Sequence, residues 1–300
     1  MGLARVCVTR TPPTHATTLG CDRSAGTAAP DSRFDWVRGA GLLDYPYLDA
    51  PATRRNLTWT ALEIRRTGWD KPVVMVTYCL IHGNWHDGSS WTPPVERLTA
   101  RGHRVLAPDL PFDDPNATYQ QRAQPALDAL DDVADPVVVV GHSVGSAEAA
   151  LVASQRPVAL LVYLCPRLGS FPVGDEAPAV FREGFPFPPK DDEGRMVWQP
   201  SAAISAMYPR LAPSTAQELA SRLRPGAFPK GDYPLTAPPE VRSALIYTSD
   251  DEFFRPEWER YAAHHLLGVE PIEISGGHFP MQEHPDLLCQ HLDRLTAQHT

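Results

Sequence analysis

The 300-residue sequence lacks any apolar run near the roughly 20 residues that a membrane-spanning helix needs. Its first residues also lack the apolar core of a secretory signal. Positive charge is in the minority, since 27 Lys and Arg stand against 36 Asp and Glu, for a formal net charge of -9. These absences argue against a membrane or nucleic-acid partner and predict an ordinary cytoplasmic protein.

Cysteine is also scarce. The chain has five cysteines, an odd number, at Cys7, Cys21, Cys79, Cys165 and Cys289, and no pair has the spacing of a metal site or a redox motif. Cys79 and Cys165 fall in apolar runs, where we interpret them as buried free thiols. The sequence therefore indicates a reducing compartment and predicts no metal site.

Residues 1–70 are rich in Thr, Arg, Ala and Pro and show little periodicity. We interpret them as a poorly structured N-terminal extension. One hypothesis is that translation starts at Met75, which opens a strand that runs into a functional loop, and that the preceding stretch is not native. Residues 71–300 then form the folded domain, with a Pro- and Gly-rich insertion at about 166–239.

From residue 73 onward, strands alternate with helices. Strands are predicted at 73–81, 103–107, 136–140, 158–165, 243–248 and 269–274. Helices are predicted at 94–101, 119–133, 144–155, 214–223, 256–267 and 285 to about 297. Six strands with intervening helices predict the α/β class, with a doubly wound and mostly parallel sheet.

The centre of this pattern is the stretch 137–150, VVVVGHSVGSAEAA. Four valines predict a strand buried on both faces, and the Ala-rich run predicts a helix. Between them lies GHSVG, a G-x-S-x-G sequence in the strand–turn–helix setting of a nucleophile elbow. Gly141 and Gly145 avoid collisions where strand and helix pack closely, so we expect Ser143 to be a nucleophile.

A serine nucleophile needs a base, and the base needs an acid that orients it. In the elbow arrangement the order along the chain is Ser, acid, His, with each partner just past a strand end. His278 follows the last predicted strand through Ser-Gly-Gly and is the predicted base. The acid should follow the fifth predicted strand, where Asp250, Asp251 and Glu252 are adjacent and spacing does not choose among them.

Such a serine also needs two N–H donors for the oxyanion that forms during attack. The residue after the nucleophile, Val144, supplies one. The other should come from the loop after the first strand, which reads His-Gly-Asn-Trp from residue 82. Because Gly83 allows close approach, the N–H of Asn84 is the predicted second donor.

With these residues in place, the chain from Met75 onward resembles the α/β-hydrolase superfamily, and more closely the branch of plant methylesterases and hydroxynitrile lyases with its bacterial esterase relatives. The resemblance implies Ser143 as the nucleophile, His278 as the base and Asp251 as the acid. Asp251 is implied because the family's acid precedes a Glu and an apolar pair. The resemblance also implies a mobile cap formed by 166–239. The resemblance is carried by LIHGNWHDGSSW (80–91), RGHRVLAPDLP (101–111), GHSVG (141–145), YTSDDEFFRPEW (247–258) and GGHFPMQEHPDLL (276–288).

Two departures separate the chain from the hydroxynitrile lyases of that branch, which carry a threonine in the His-Gly loop and a lysine after the base histidine. Gly83 and Phe279 stand at these positions, so no cation is in place to stabilise a leaving cyanide. We therefore predict hydrolysis of an ester through an acyl-enzyme, without a cofactor. A thioester, amide or lactone is chemically close, and a non-hydrolytic ligand receptor or a cofactor-free lyase or oxygenase on the same fold is the alternative.

The insertion is rich in large apolar side chains, at Phe171, Phe181, Phe185, Phe187, Trp198, Met207, Tyr208 and Phe228. They either line a pocket for an acyl or aryl group or pack the core of the cap. The expected partner is a small-to-medium apolar or aromatic ester, and the chain is expected to be a monomer or a homodimer. The predicted pocket residues are Trp85, Phe185, Trp198, Tyr208 and Phe279.

Overall fold

The computed structural model describes residues 75–168 and 171–299. The predicted extension 1–70 and the beginning of the first predicted strand lie outside the described residues. Within them, no helix is both long and apolar enough to cross a bilayer.

Six strands form one sheet in the order β2-β1-β3-β4-β5-β6, and every neighbouring pair is parallel. This confirms the predicted α/β class and doubly wound parallel sheet. The strand order reverses direction between β1 and β3, so the carboxyl ends of these two strands border a crevice where ligands commonly bind. The strands are β1 (Thr77–Ile81), β2 (Arg104–Leu106), β3 (Val137–His142), β4 (Leu160–Leu164), β5 (Ser243–Thr248) and β6 (Ile272–Ile274).

Side chains alternate between the two faces of this sheet. In β3, Val138 and Val140 belong to one apolar cluster, and Val137 and Val139 belong to the other. Because helices cover both faces, the central strands read as continuous apolar runs. The first face is covered by α1 (Thr92–Ala100) and α8 (Pro285–His299), with the short α7 (Pro280–Glu283) before α8, and the second by α2 (Tyr119–Ala129), α3 (Gly145–Gln155) and α6 (Pro256–Tyr261).

Helix boundaries follow local chemistry. A capping box starts α2, in which the Thr118 side chain accepts from Gln121 N and Gln121 Oε1 accepts from Thr118 N. The helix ends at Ala129, so the predicted end at residue 133 was wrong; the apolar spacing continues into the next turns, where Val133 is still buried. The predicted helix 256–267 is α6 followed by a π-helical turn, Ala262–Leu267.

The chain between β4 and β5, residues 165–242, is a long insertion that we call the cap segment. Its described residues form two helices, α4 (Pro200–Met207) and α5 (Pro213–Ser221), where the sequence predicts only one. The signal for α4 is weak because it lies in a Pro-rich stretch, although proline in the first turn is compatible with a helix. Bonds from Arg182 N to Phe253 O and from Arg224 N to Trp85 O, each 2.8 Å, join the segment to the loops after β5 and β1.

Two glycines allow the chain around β3 and α3 to pack tightly. A Cβ atom at Gly141 would lie 2.6 Å from Ala149 Cβ, and a Cβ atom at Gly145 would overlap the carbonyl oxygen of His82. Because the backbones approach this closely, the turn between β3 and α3 has no room for a side chain at either position.

We expect Gly145→Ala to lower the free energy of unfolding by about 3 kcal/mol, because the added methyl group must displace backbone rather than a flexible side chain. Urea unfolding of the variant measures this loss. Gly184→Ala is the matched control, since Gly184 is exposed, has a φ of 73° and has open space around it. That control should cost only about 1 kcal/mol, and equal losses in the two variants would contradict the prediction.

Candidate active site

The loop after β3 is the G-x-S-x-G turn. Ser143 has a φ of 56°, a left-handed conformation that is uncommon for a residue with a side chain. Its N–H donates to Leu164 O (3.0 Å), and its carbonyl oxygen accepts from Ser146 N (3.2 Å) and Arg167 N (3.1 Å). Backbone strain of this kind persists only where the surroundings hold it, and it clusters at functional sites. The turn presents Ser143 at the carboxyl edge of the sheet.

The loops after β5 and β6 bring an acid and a histidine together. His278 Nδ1 lies 2.7 Å from Asp251 Oδ2, and both side chains are fully buried. Asp251 Oδ1 accepts from Phe253 N (2.7 Å) and Phe254 N (2.8 Å), so the carboxylate is held at both oxygens. The imidazole therefore carries its proton on Nδ1, and Nε2 is left with a lone pair.

The two neighbouring acids have other roles. Asp250 is exposed, and its carboxylate accepts from the adjacent Ser249 hydroxyl (3.0 Å). Glu252 Oε2 accepts from the backbone N–H of His278 (2.8 Å), and its other oxygen pairs with Arg210 of the cap segment. Of the three acids that spacing left open, only Asp251 reaches the imidazole of His278, while Glu252 orients the backbone of the same loop.

The ring of His278 is packed on several sides. The Phe253 ring stacks on it with centroids 4.2 Å apart and an interplanar angle of 13°. The carbonyl oxygen of His278 accepts from His142 Nε2 (2.8 Å), which ties this loop to the residue before Ser143. His278 Nε2 is buried and has no hydrogen-bond partner among the described residues, Ser143 Oγ included. Catalytic hydrogen bonds commonly tighten only when substrate is present.

The loop after β1 is held by two neutral histidines. Burial lowers the pKa of His82 to about 3 and that of His86 to about 4. His82 Nε2 accepts from Leu110 N (2.9 Å), so its proton lies on Nδ1, which donates to Gly83 O (2.9 Å). His86 Nδ1 donates to Asn84 O (2.8 Å). These bonds set the orientation of the peptide groups on both sides of Asn84.

Asn84 and Val144, the two predicted amide donors, line the same cleft as Ser143. Across residues 75–168 and 171–299, neither backbone N–H has an acceptor. Val144 stands directly before α3, where the amides and the dipole of the helix favour negative charge. Two uncommitted N–H groups that border a serine are the arrangement needed to hold an oxyanion.

Cys165 lies closer to the acid and base than the sequence indicates. Cys165 Sγ, a carboxylate oxygen of Asp251 and a ring nitrogen of His278 all lie within 4.8 Å of one another. Cys165 is a buried free thiol, as predicted. Burial, reinforced by the charge of Asp251, raises the pKa of this thiol well above its ordinary value. The sulfur is therefore protonated at neutral pH and is not a competing nucleophile.

A sequence model of the alpha/beta hydrolase family matches residues 80–291. The chain belongs to the alpha/beta hydrolase family.

Three relatives show which members of this family the chain is similar to. Methylesterase 9 of Arabidopsis thaliana is 27% identical over 258 residues, 75% of this chain and 100% of that protein. Pyrethroid hydrolase of Sphingobium wenxiniae is 32% identical over 124 residues, 38% of this chain and 42% of that protein, so this match spans less than half of the relative's length. A crystal structure of an Arabidopsis methylesterase superposes with a TM-score of 0.58 at 17% identity, covering 74% of this chain and 99% of the other.

The similar proteins agree with the structure in family and in fold. The family and the fold are those of the predicted resemblance, and the similar proteins include a methylesterase and a pyrethroid hydrolase. At 17% identity the structural likeness shows the fold alone.

The hydrolase fold places an aromatic cleft beside Ser143. Phe187 and Phe228 are each 54% exposed and form its solvent side. Apart from Asn84, Ser143, Val144 and Arg167, the lining is aromatic or apolar and comes mostly from the cap segment and the loop after β5: Trp85, Phe181, Phe185, Phe187, Met196, Phe228, Phe253 and Phe254.

The five predicted pocket residues divide into two groups. Trp85 and Phe185 line the aromatic cleft. Trp198, Tyr208 and Phe279 do not; they are buried behind it. Trp198 meets Trp85 edge-on at 5.7 Å, and the rings of Tyr208 and Phe279 pack 5.2 Å apart. None of these three lines the aromatic cleft, and all three belong to the buried apolar cluster on the first face of the sheet.

A second cavity adjoins the aromatic cleft and shares Asn84, Val144, Arg167 and Phe228 with it. We call it the polar cavity, because polar or charged side chains make up half of its lining residues. Burial raises the pKa of Glu148 to about 8, and the charge of Arg122 opposes that rise. Its remaining lining residues are Tyr119, Arg122, Ala147, Glu148, Ala227 and Pro229.

Arg167 and Glu148 are site residues that sequence reasoning missed. Arg167 follows the end of β4, at the same edge of the sheet as the other site loops, so the strand-end rule that selected His278 could have found it. Glu148 is a lone charge inside the Ala-rich run of α3, where an apolar residue is expected. Both signals are present in the sequence, but neither belongs to a recognised motif.

Proposed function

We propose that the chain is a serine-dependent carboxylic ester hydrolase that works through an acyl-enzyme. The observation that carries the proposal is the buried 2.7 Å hydrogen bond between His278 Nδ1 and Asp251 Oδ2, next to the strained turn of Ser143. This bond keeps His278 Nε2 available as a base and stabilises the imidazolium that forms when it takes a proton.

In the first half of the reaction, Ser143 Oγ attacks the ester carbonyl carbon while its proton passes to His278 Nε2. The carbonyl electron pair moves onto oxygen, and the N–H groups of Asn84 and Val144 hold the resulting oxyanion. When the tetrahedral intermediate collapses, the bond to the alcohol breaks and the alcohol takes the proton from His278.

In the second half, His278 Nε2 removes a proton from water, and the hydroxide attacks the acyl carbon. The bond between the acyl carbon and Ser143 Oγ breaks, Ser143 regains its proton from His278, and the carboxylic acid leaves. The proposed cycle uses protein side chains, backbone amides and water, with no cofactor.

The lining of the aromatic cleft supports a substrate with an apolar or aromatic group of small to medium size. Burial of such a group contributes about 25 cal/mol per Å² of apolar surface removed from water, and most of the lining of the cleft is aromatic or apolar. We assign the cap segment the role of closing this cleft, because it supplies most of the aromatic walls.

A fluorophosphonate probe tests the proposal, since it reacts only with an activated serine. We expect one label, on the tryptic peptide that contains Ser143, and release of acid and alcohol from p-nitrophenyl butyrate. Heat-denatured protein is the control and should not be labelled. Binding of the ester without labelling or turnover would favour a receptor, and consumption of substrate without release of an acid would favour a lyase or oxygenase.

A further inference from the structure

The polar cavity next to the aromatic cleft is not used by the proposed hydrolytic cycle. Both cavities are bordered by Asn84 and Val144, whose amides are assigned to the oxyanion. A substrate whose carbonyl oxygen points at these amides is therefore within reach of both cavities. One cavity is aromatic, and half of the residues that line the other are charged or polar.

Arg167 stands at the junction of the two cavities. Its backbone N–H donates to Ser143 O (3.1 Å), so the residue is directly beside the nucleophile turn. Arg167 lines both cavities, and its guanidinium forms no ion pair and no side-chain hydrogen bond with any residue that the structure describes. An arginine is always charged and offers five N–H donors in a planar fork that matches a carboxylate. A free guanidinium in a cavity is a recognition element for an anion.

Two further groups make the cavity favourable for an anion. The side chain of Glu148 is 1% exposed, and its Oε2 atom has no hydrogen-bond partner among the described residues. The raised pKa of this carboxyl leaves it mostly protonated at pH 7, so it can donate a hydrogen bond instead of repelling a negative group. Arg122, also buried, adds a second positive charge to the lining.

We propose that the polar cavity binds a carboxylate of the substrate, so that the scissile ester lies between an apolar or aromatic group in the aromatic cleft and a carboxylate held by Arg167. This inference rests on the proposed ester hydrolysis and narrows its substrate class to half-esters of dicarboxylic acids and related esters that carry one free acid. Arg167 is then a residue that determines specificity, and Glu148 is a second donor to the same carboxylate.

Matched pairs of esters test the proposal by kinetics at pH 7. Monobenzyl glutarate is compared with benzyl pentanoate, and 4-(phenylacetoxy)butanoate with butyl phenylacetate; the members of each pair differ by a carboxylate in place of a methyl group. We expect kcat/KM of the wild type to favour the acid by about 10- to 100-fold in at least one pair, the effect of one charge-assisted hydrogen bond. Arg167→Gln should abolish this preference, and Arg167→Lys should restore part of it.

Arg104→Gln is the matched control, because Arg104 is exposed on the edge strand β2 and lines neither cavity. It removes one positive charge from a protein of formal net charge -9 and should leave the preference unchanged. A preference that is absent from both pairs, or one that survives in Arg167→Gln, would overturn the proposal. Thermal melting of each variant shows that the comparison is made between folded proteins.

Binding separates this inference from the proposed hydrolysis. N-benzylglutaramate and the neutral N-benzylpentanamide replace the ester by an amide and are titrated calorimetrically into the full chain. We expect the acid to bind at least about 10-fold more tightly, and Arg167→Gln to remove that difference. If the difference is found but no ester is hydrolysed through Ser143, the proposed hydrolysis fails and the carboxylate site stands. If esters are hydrolysed but the acid has no advantage, only the carboxylate site fails.

Discussion

Ser143→Ala is expected to lower kcat for hydrolysis of p-nitrophenyl butyrate by about 10⁴- to 10⁶-fold, with little change in the free energy of unfolding. The variant removes the atom that we propose forms the acyl-enzyme, while the amides of Asn84 and Val144 remain in place. The residual rate then reflects attack by water in the same cleft. Steady-state kinetics with a long incubation and high enzyme concentration measures the remaining rate.

Ser154→Ala is the matched control for this prediction. Ser154 lies on α3, the helix that follows the turn of Ser143. Its hydroxyl donates to Leu151 O (2.8 Å) within the same helix. Its loss should leave kcat within about twofold, as for most surface substitutions. If Ser143→Ala and the wild type hydrolysed the ester at the same rate, Ser143 would have no part in hydrolysis, and the receptor and lyase alternatives would move ahead.

Asp251→Asn is expected to lower kcat by about 10⁴-fold, the loss found when the orienting acid of such a triad becomes an amide. Asp251 Oδ2 accepts the Nδ1 proton of His278, and Oδ1 accepts the N–H groups of Phe253 and Phe254. The asparagine side chain has only one acceptor oxygen, so it cannot accept both from the imidazole and from these two backbone N–H groups. The imidazole then favours the tautomer with its proton on Nε2, which cannot accept a proton from Ser143.

Asp250→Asn separates this effect from a general change of charge. Asp250 is the preceding residue, is exposed and does not reach His278, so its variant should keep kcat within about twofold. The KM of Asp251→Asn should change little, because the aromatic cleft is intact, and its melting temperature reports any loss of folding. A larger effect at Asp250 than at Asp251 would show that the acid had been assigned to the wrong residue.

The parts of the fold that could be predicted are those in which one local pattern has one physical explanation. A run of four valines is stable only in a strand buried on both faces, and a small residue on each side of the serine is required where β3 and α3 meet. The end of α2 and the presence of α4 could not be predicted as well. Apolar spacing continues beyond Ala129 into a turn, and α4 is short and lies among prolines.

In the candidate site, too, some residues could be predicted from the sequence and others could not. Order along the chain points to Ser143 and His278, because each follows a predicted strand and the order Ser, acid, His is that of the elbow arrangement. The three acids at 250–252 are consecutive and all follow the same strand, so only their directions in space distinguish them. Composition likewise cannot tell an aromatic ring that lines a cleft from one that packs behind it, and Trp198, Tyr208 and Phe279 illustrate this.

The sequence by itself determined the α/β class, the parallel sheet, the position of the nucleophile turn and the family to which the chain is similar, since these depend on local patterns of apolar, glycine and motif residues. The tertiary structure alone decided which acid meets His278, which aromatic rings face the cleft, and that Arg167, whose guanidinium has no partner among the described residues, borders both cavities with Glu148 in the second. These are contacts between loops from different strands, and their directions depend on how the strands pair and on how the cap segment packs over them.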